Sequence, residues 1–133
     1  MGQPAANSAA TVVGVDTHIV MVPSPGGPVP TPLPHPFSGP LNQALVDNVR
    51  IAGQPAAVVG SVATNQPPHL PTPPGVSFQA PPANSGTVHV GSTSVLIGGQ
   101  PAARNGDPVR TCNDPAEAPV GQIIATVPTV MIG

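Results

Sequence analysis

Four histidines, His18, His35, His69 and His89, and one cysteine, Cys112, are the side chains of this sequence best suited to hold a zinc ion. Neutral imidazole nitrogen and thiolate sulfur are donors that Zn²⁺ favours, and four of them fill its tetrahedral shell. A filled shell is structural, because a catalytic zinc keeps one position for water. The spacing is a weak signal by itself: residues 18, 35, 69 and 112 are far apart, and no C-x-x-C or H-x-x-x-H pair exists. Taken singly, a His in such a chain is more often an ordinary loop residue than a ligand. His89, inside Val88-His89-Val90 with no turn beside it, reads as a solvated strand position. Acid–base chemistry is thinly provided. Glu117 is the only Glu and lies in a Pro-flanked turn, and Asp16, two residues from His18, reads as a group that supports a ligand or a turn. No enzyme is expected.

The elements that must position these groups are short strands. The 133 residues include 22 Pro and 15 Gly, a load that would suggest low complexity or disorder. Disorder, however, goes with high charge and low hydrophobicity, whereas here 6% of residues are charged and 39% are apolar. The balance favours one compact, loop-rich β domain over residues 1–133. With no Trp, no Tyr and two Phe, its core is small and needs a staple. One cysteine excludes an internal disulfide, which leaves a metal or a partner. A net charge of −2 without a single Lys excludes a nucleic-acid footprint. Neither a secretory leader pattern nor an apolar run long enough to span a bilayer is present, so synthesis in the cytoplasm without a signal peptide is expected.

One phrase is written twice. Val49-Arg50-Ile51-Ala52-Gly53-Gln54-Pro55-Ala56-Ala57-Val58-Val59-Gly60 returns as Val95-Leu96-Ile97-Gly98-Gly99-Gln100-Pro101-Ala102-Ala103-Arg104-Asn105-Gly106. Each copy, about 49–60 and 95–106, reads as a β-hairpin reversing at Gly53-Gln54 or Gly99-Gln100, with Pro55 or Pro101 opening the returning strand. Thr11–Val22 reads as a strand whose alternation puts Asp16 and His18 on one face. Residues 1–10 read as a ragged end or contact segment. The proline-rich residues 23–40 read as an extended loop without ladder bonds, and their Pro-Thr-Pro-Leu-Pro-His-Pro also fits a polyproline ligand. Asn42–Asp47 reads as one helical turn, 61–85 as a second proline-rich excursion, 86–97 as a hairpin turning near Gly91-Ser92, and 123–132 as a strand-rich tail. Phe37 and Phe78 are expected in the core. Asp107 reads as a turn residue, and Arg104 either as a brace for a carboxylate or backbone carbonyls near the repeat hairpin or as a solvated side chain.

The second copy contains Pro101-Ala102-Ala103-Arg104, and the chain resembles the PAAR-repeat proteins that cap the spike of type VI secretion systems and related contractile injection machines. The resemblance also covers Asp16-Thr17-His18, the Pro-Leu-Pro-His-Pro-Phe-Ser-Gly run at 32–39, Pro67-Pro68-His69, and Gly106-Asp107 followed by Thr111-Cys112-Asn113-Asp114. It departs where the first copy reads Pro55-Ala56-Ala57-Val58, and where Gly60-Ser61 replaces Gly106-Asp107. The resemblance implies a small all-β, cone-shaped domain of repeated hairpins with one structural zinc near its apex, held by His18, His35, His69 and Cys112.

It also implies a partner, a trimeric VgrG-like or phage-spike-like β-helix bound by one copy of this chain. A third arm would then come from divergent sequence, within 1–22 and 120–133. The expected function is mechanical: sharpening the tip of the device, aiding puncture of a target membrane, and offering an attachment point for effector cargo, with no fused toxin domain. The protein would sit at the tip of the apparatus and leave the cell on firing. Two other readings are a free-standing Pro-rich zinc-binding interaction module and a zinc hydrolase acting through Glu117 or Asp16.

Overall fold

A computed structural model describes residues 2–125 and 130–133. All its regular structure is β, as the alternating short apolar runs predict. In chain order the strands are β1 (Gln3–Pro4), β2 (Thr11–Val22), β3 (Val29–Gln43), β4 (Val46–Ile51), β5 (Gln54–Ala56), β6 (Val62–Thr64) and β7 (Ser77–Phe78). They continue as β8 (Ser85–Val88), β9 (Leu96–Ile97), β10 (Gln100–Pro101), β11 (Pro108–Thr111), β12 (Ala118–Ile124) and β13 (Met131–Ile132).

Strands β2, β3, β6, β8, β11 and β12 pair in that order, and β12 returns to β2, closing a small barrel. Closure removes the open edges that invite aggregation. The longest unit is the β2–β3 hairpin, paired without a break from Thr11↔Pro40 to Val22↔Val29. It runs past the other strands, accompanied at its far end only by β7 against Val20 and Met21. The other end carries three two-stranded arms: β4–β5, β9–β10 and β1–β13.

The three arms share one register. Ile51 faces Gln54 and Arg50 faces Pro55 in the first; Ile97 faces Gln100 and Leu96 faces Pro101 in the second; Ile132 faces Gln3 and Met131 faces Pro4 in the third. The third arm therefore comes from both chain ends, and its returning strand repeats the phrase again as Gly2-Gln3-Pro4-Ala5-Ala6. Backbone bonds close a ring around the arms: Ala6 N–H donates to Ala103 O, Ala103 N–H to Ala57 O, and Ala57 N–H to Ala6 O, at 3.0, 3.0 and 3.1 Å. A second cycle joins Ser8 to Pro55, Val59 to Pro101 and Asn105 to Pro4 at 2.8–3.1 Å. Ala6, Ala57 and Ala103 are fully buried on this axis, where three segments of the chain meet and small side chains let their backbones bond. Below them Ala5, Ala56, Ala102, Ile51 and Ile132 form one apolar cluster. Above them Val12, Phe37, Leu41, Val109 and Ile123 fill the barrel.

Several expectations are corrected. Residues 2–10 are no ragged end but one arm and part of the ring. Residues 29–40 form strand β3 rather than a ladder-free loop. Its prolines recur at 30, 32, 34 and 36, so the missing N–H groups all fall on one edge, and β6 meets β3 only at 41–43. Locked in this ladder, the run is not a free polyproline ligand. Residues 46–51 are strand, which excludes the helical turn. Residues 86–97 are no hairpin, because β8 pairs with β6 and β11. The arms reverse one residue earlier than expected: Ala52 and Gly53, and Gly98 and Gly99, all have positive φ, as two-residue hairpin turns require. Part of the expected tail, 126–129, lies outside the described residues.

Candidate metal centre

The site lies where β2 leaves the barrel. Period two along β2 turns Asp16 and His18 inward, and both are fully buried. The same period on β3 turns His35 inward from between Pro34 and Pro36. Cys112 follows β11, and His69 comes from the loop 65–72. Asn84 holds that loop by accepting the His69 backbone N–H at 2.8 Å, and Asn65 at its base accepts the Ser38 N–H at 2.9 Å. Asn113 and Asp114, which follow the cysteine, tie to β2 through Thr17: Thr17 N–H donates to Asn113 Oδ1 and Asp114 N–H donates to Thr17 O.

Asp16, His18, His69 and Cys112 each offer one donor atom, all within 4.8 Å of one another, and together they could hold a metal ion. Cys112 Sγ lies 3.7 Å from His18 Nε2 and 3.4 Å from Asp16 Oδ2, and His69 Nε2 lies 3.0 Å from the same oxygen. Bond lengths of about 2.0–2.3 Å around a tetrahedral zinc place neighbouring donors about 3.3–3.7 Å apart, the range in which the separations of Cys112 Sγ from His18 Nε2 and from Asp16 Oδ2 fall. Outer contacts orient the inner atoms. His18 Nδ1 meets Asp114 Oδ2 at 3.0 Å, which leaves Nε2 facing the centre, and the Thr111 hydroxyl donates to Asp16 Oδ1. Phe78 stands edge-on to His18 with ring centres 5.7 Å apart. It is half-buried and roofs the imidazoles instead of joining the core, while Phe37 is buried as expected.

The electrostatics suit a cation. Burial, reinforced by the nearby Asp16 charge, pushes the Cys112 thiol up to about 11, so without an ion it stays protonated and donates to that carboxylate. Burial also holds His69 below the ordinary imidazole range, against the upward pull of its bond to Asp16. Burial thus favours the neutral forms of Cys112 and His69 until a dication compensates the charge.

His35 belongs to the same cluster but is held differently. Its ring centre is 5.2 Å from that of His18 and 5.6 Å from that of His69. Its Nδ1 meets Leu33 O at 2.9 Å, and its Nε2 accepts the Thr72 N–H at 3.2 Å. Asp16 is the residue whose place sequence reasoning underrated; the shared face of Asp16 and His18 on β2 was the signal for it. His89 is exposed just past the end of β8, not within a strand as expected, and pairs with Arg110 at 2.9 Å, apart from this cluster in role and burial. Arg104 braces Asp107 through Nε and Nη2, a contact that raises the guanidinium above its usual range, and Asp107 Oδ2 accepts the Arg104 N–H. In the first copy the Ser61 hydroxyl takes over that last bond, from Val58 N–H at 3.0 Å. The turn therefore survives where the Arg and Asp do not.

Residues 79–133 match the family described as PAAR motif. No curated protein and no solved structure matches the chain. The matched stretch carries the second arm, its Pro-Ala-Ala-Arg turn and Cys112 of the buried donor cluster. That match over residues 79–133, with three Gln-Pro-Ala-Ala arms around one axis, supports a PAAR-repeat protein.

Proposed function

We propose that this chain is the capping tip of a threefold spike in a contractile injection system, such as a VgrG-like or phage-spike-like β-helical trimer. The observation that carries the reading is the ring of three equivalent arms. A single chain that meets three identical subunits fits best when its own binding face repeats about the same axis. The exposed positions Arg50, Leu96 and Met131 are equivalent in register and ring the base. The opposite end is the proline-rich β2–β3 hairpin, ending in the uncharged turn Pro23-Ser24-Pro25-Gly26-Gly27-Pro28. A stiff point without charge suits a part that is driven through lipid, since burying charge in a bilayer is costly. Among the described residues no helix is long and apolar enough to cross a membrane, so this passage would be transient. Effector cargo would ride on the same tip, and the protein would leave the cell with it.

In this reading one Zn²⁺ is held by His18, His35, His69 and Cys112, and the Asp16 carboxylate beside the ion adds its negative charge to that of the thiolate in compensating the dication. His35 is preferred to Asp16 as fourth donor because its Nδ1 already points at a backbone carbonyl, the usual anchoring of a ligating imidazole. The ion supplies rigidity: it ties β2, β3, the 65–72 loop and the end of β11 at one point, where the small core gives little hold.

Co-expression with a trimeric spike protein tests the function. The expected result is a complex of one chain per trimer, weakened by Leu96→Glu and Met131→Glu and indifferent to His89→Ala. A chain that stays monomeric beside every cognate spike would overturn it and favour a free-standing zinc-binding module.

A further inference from the structure

The three buried imidazoles differ in what their Nε2 atoms meet. His18 turns Nε2 toward Cys112 and His69 turns Nε2 toward Asp16, but His35 Nε2 accepts the backbone N–H of Thr72 at 3.2 Å. The partner of His35 Nδ1 is a carbonyl, Leu33 O, so Nδ1 carries the proton and Nε2 carries the lone pair. One in-plane lone pair serves one partner. A metal ion and the Thr72 amide cannot both have it.

We propose that the Thr72 amide holds the place of the metal on His35, so that loading the centre exchanges this hydrogen bond for a coordination bond and releases the strap 70–72. The proposal rests on the reading of His35 as the fourth ligand. The strap has few other ties. The Thr72 hydroxyl donates to Pro34 O at 3.2 Å, and Thr72 O accepts the Gly75 N–H at 2.9 Å. Leu70 at its start is 79% exposed. The same strap, through Leu70 and Thr72, lines an open cavity of about 390 Å³ that His35 and His69 also line. Metal status is therefore transmitted to the surface, through a shift of Leu70 and Thr72 at the wall of this cavity.

The test is nitrogen NMR of the full chain with ¹⁵N-labelled histidine and backbone, before and after one equivalent of Zn²⁺. The expected result is a coordination shift at His35 Nε2 together with roughly tenfold faster hydrogen exchange at the Thr72 amide. The ring amides of Ala6, Ala57 and Ala103 should not change. A coordinated His35 beside a still-protected Thr72 amide overturns the exchange and leaves the ligand reading standing. An unshifted His35 at full zinc load overturns the ligand reading, and the exchange with it.

Two variants give a second measurement. Thr72→Pro removes the competing N–H, while Thr72→Val removes only the hydroxyl. Zinc should bind Thr72→Pro about fivefold tighter than Thr72→Val; equal or weaker binding overturns the proposal. If Thr72→Pro does not fold, the amide exchange of the unaltered chain decides alone.

Discussion

The Cys112 thiol and the His69 imidazole set opposite limits on the metal-free fold. Cys112 ionises near 9 in an unfolded chain and at about 11 when folded, so its folded state favours the proton. The stability this carries is complete below pH 9 and is lost as pH climbs from 9 toward 11. His69 is shifted the other way, below 6.5, so its contribution is present above pH 6.5 and is lost as pH falls beneath that value. Chelator-treated protein should therefore show a thermal midpoint that falls on both sides of a plateau between pH 6.5 and 9. Cys112→Ser should remove the alkaline fall and leave the acid one. Zinc alters this by taking the thiolate: binding at neutral pH displaces the thiol proton, so affinity should drop about tenfold for each unit of acidification. Isothermal titration in buffers of different ionisation enthalpy measures that proton directly. Much of this site could be read before folding. Asp16 and His18 on one face of β2 followed from strand alternation alone. That Thr72 meets His35 could not be read, because it depends on how a proline-rich loop 37 residues downstream comes back over β3.

Strand β3 shows what pattern reading misses at the scale of the element. Four prolines in eight residues look like a strand breaker, yet their period of two places every missing donor on the edge that no neighbour uses. The decisive information is which side of a strand is free, and that is a property of the sheet. Close approach is written more plainly, in glycine. A Cβ on Gly39 would lie 1.7 Å from Thr64 O, where β6 gives way to the 65–72 loop, while one on Gly26 at the hairpin turn would meet nothing within 4 Å. Gly39→Ala should cost on the order of 3 kcal/mol in denaturant unfolding, and Gly26→Ala should be nearly silent. The arms supply a converse case. Ala52 takes a φ of 52° where the second arm uses Gly98, so it carries the strain of an L-residue in left-handed conformation. Ala52→Gly should raise stability by about 1 kcal/mol, visible as a thermal midpoint a few degrees higher. Gly98→Ala should lower it, since that site also crowds the Val46 methyls at 3.2 Å.

For the molecule as a whole, the consequence of the ring is that the chain ends are its third hairpin. Two arms were legible as contiguous repeats. The third was not, because its outgoing strand, Val130-Met131-Ile132-Gly133, and its returning strand, Gly2-Gln3-Pro4-Ala5-Ala6, stand at opposite ends of the sequence. A repeat search that expects strand, turn and strand in one run meets only half the phrase at each end. In space the halves are equivalent to the others: Ala5 N–H donates to Val130 O as Ala102 N–H donates to Val95 O. A peptide bond from Gly133 to Gly2 would spell Ile-Gly-Gly-Gln, the same four residues as Ile97-Gly98-Gly99-Gln100, and would make the split arm a true two-residue hairpin. A backbone-cyclised chain without Met1 should therefore fold to the same ring. Its gain comes from the unfolded state: tying the ends of a chain of this length removes about 4 kcal/mol of closure entropy that the linear protein must overcome each time it folds. The denaturant midpoint should rise accordingly while the ring amides of Ala6, Ala57 and Ala103 keep their native chemical shifts. A cyclised chain no more stable than the linear one would mean that Gly133 and Gly2 cannot adopt the turn without strain. In that case the third arm would be equivalent to the other two in its pairing and not in its turn.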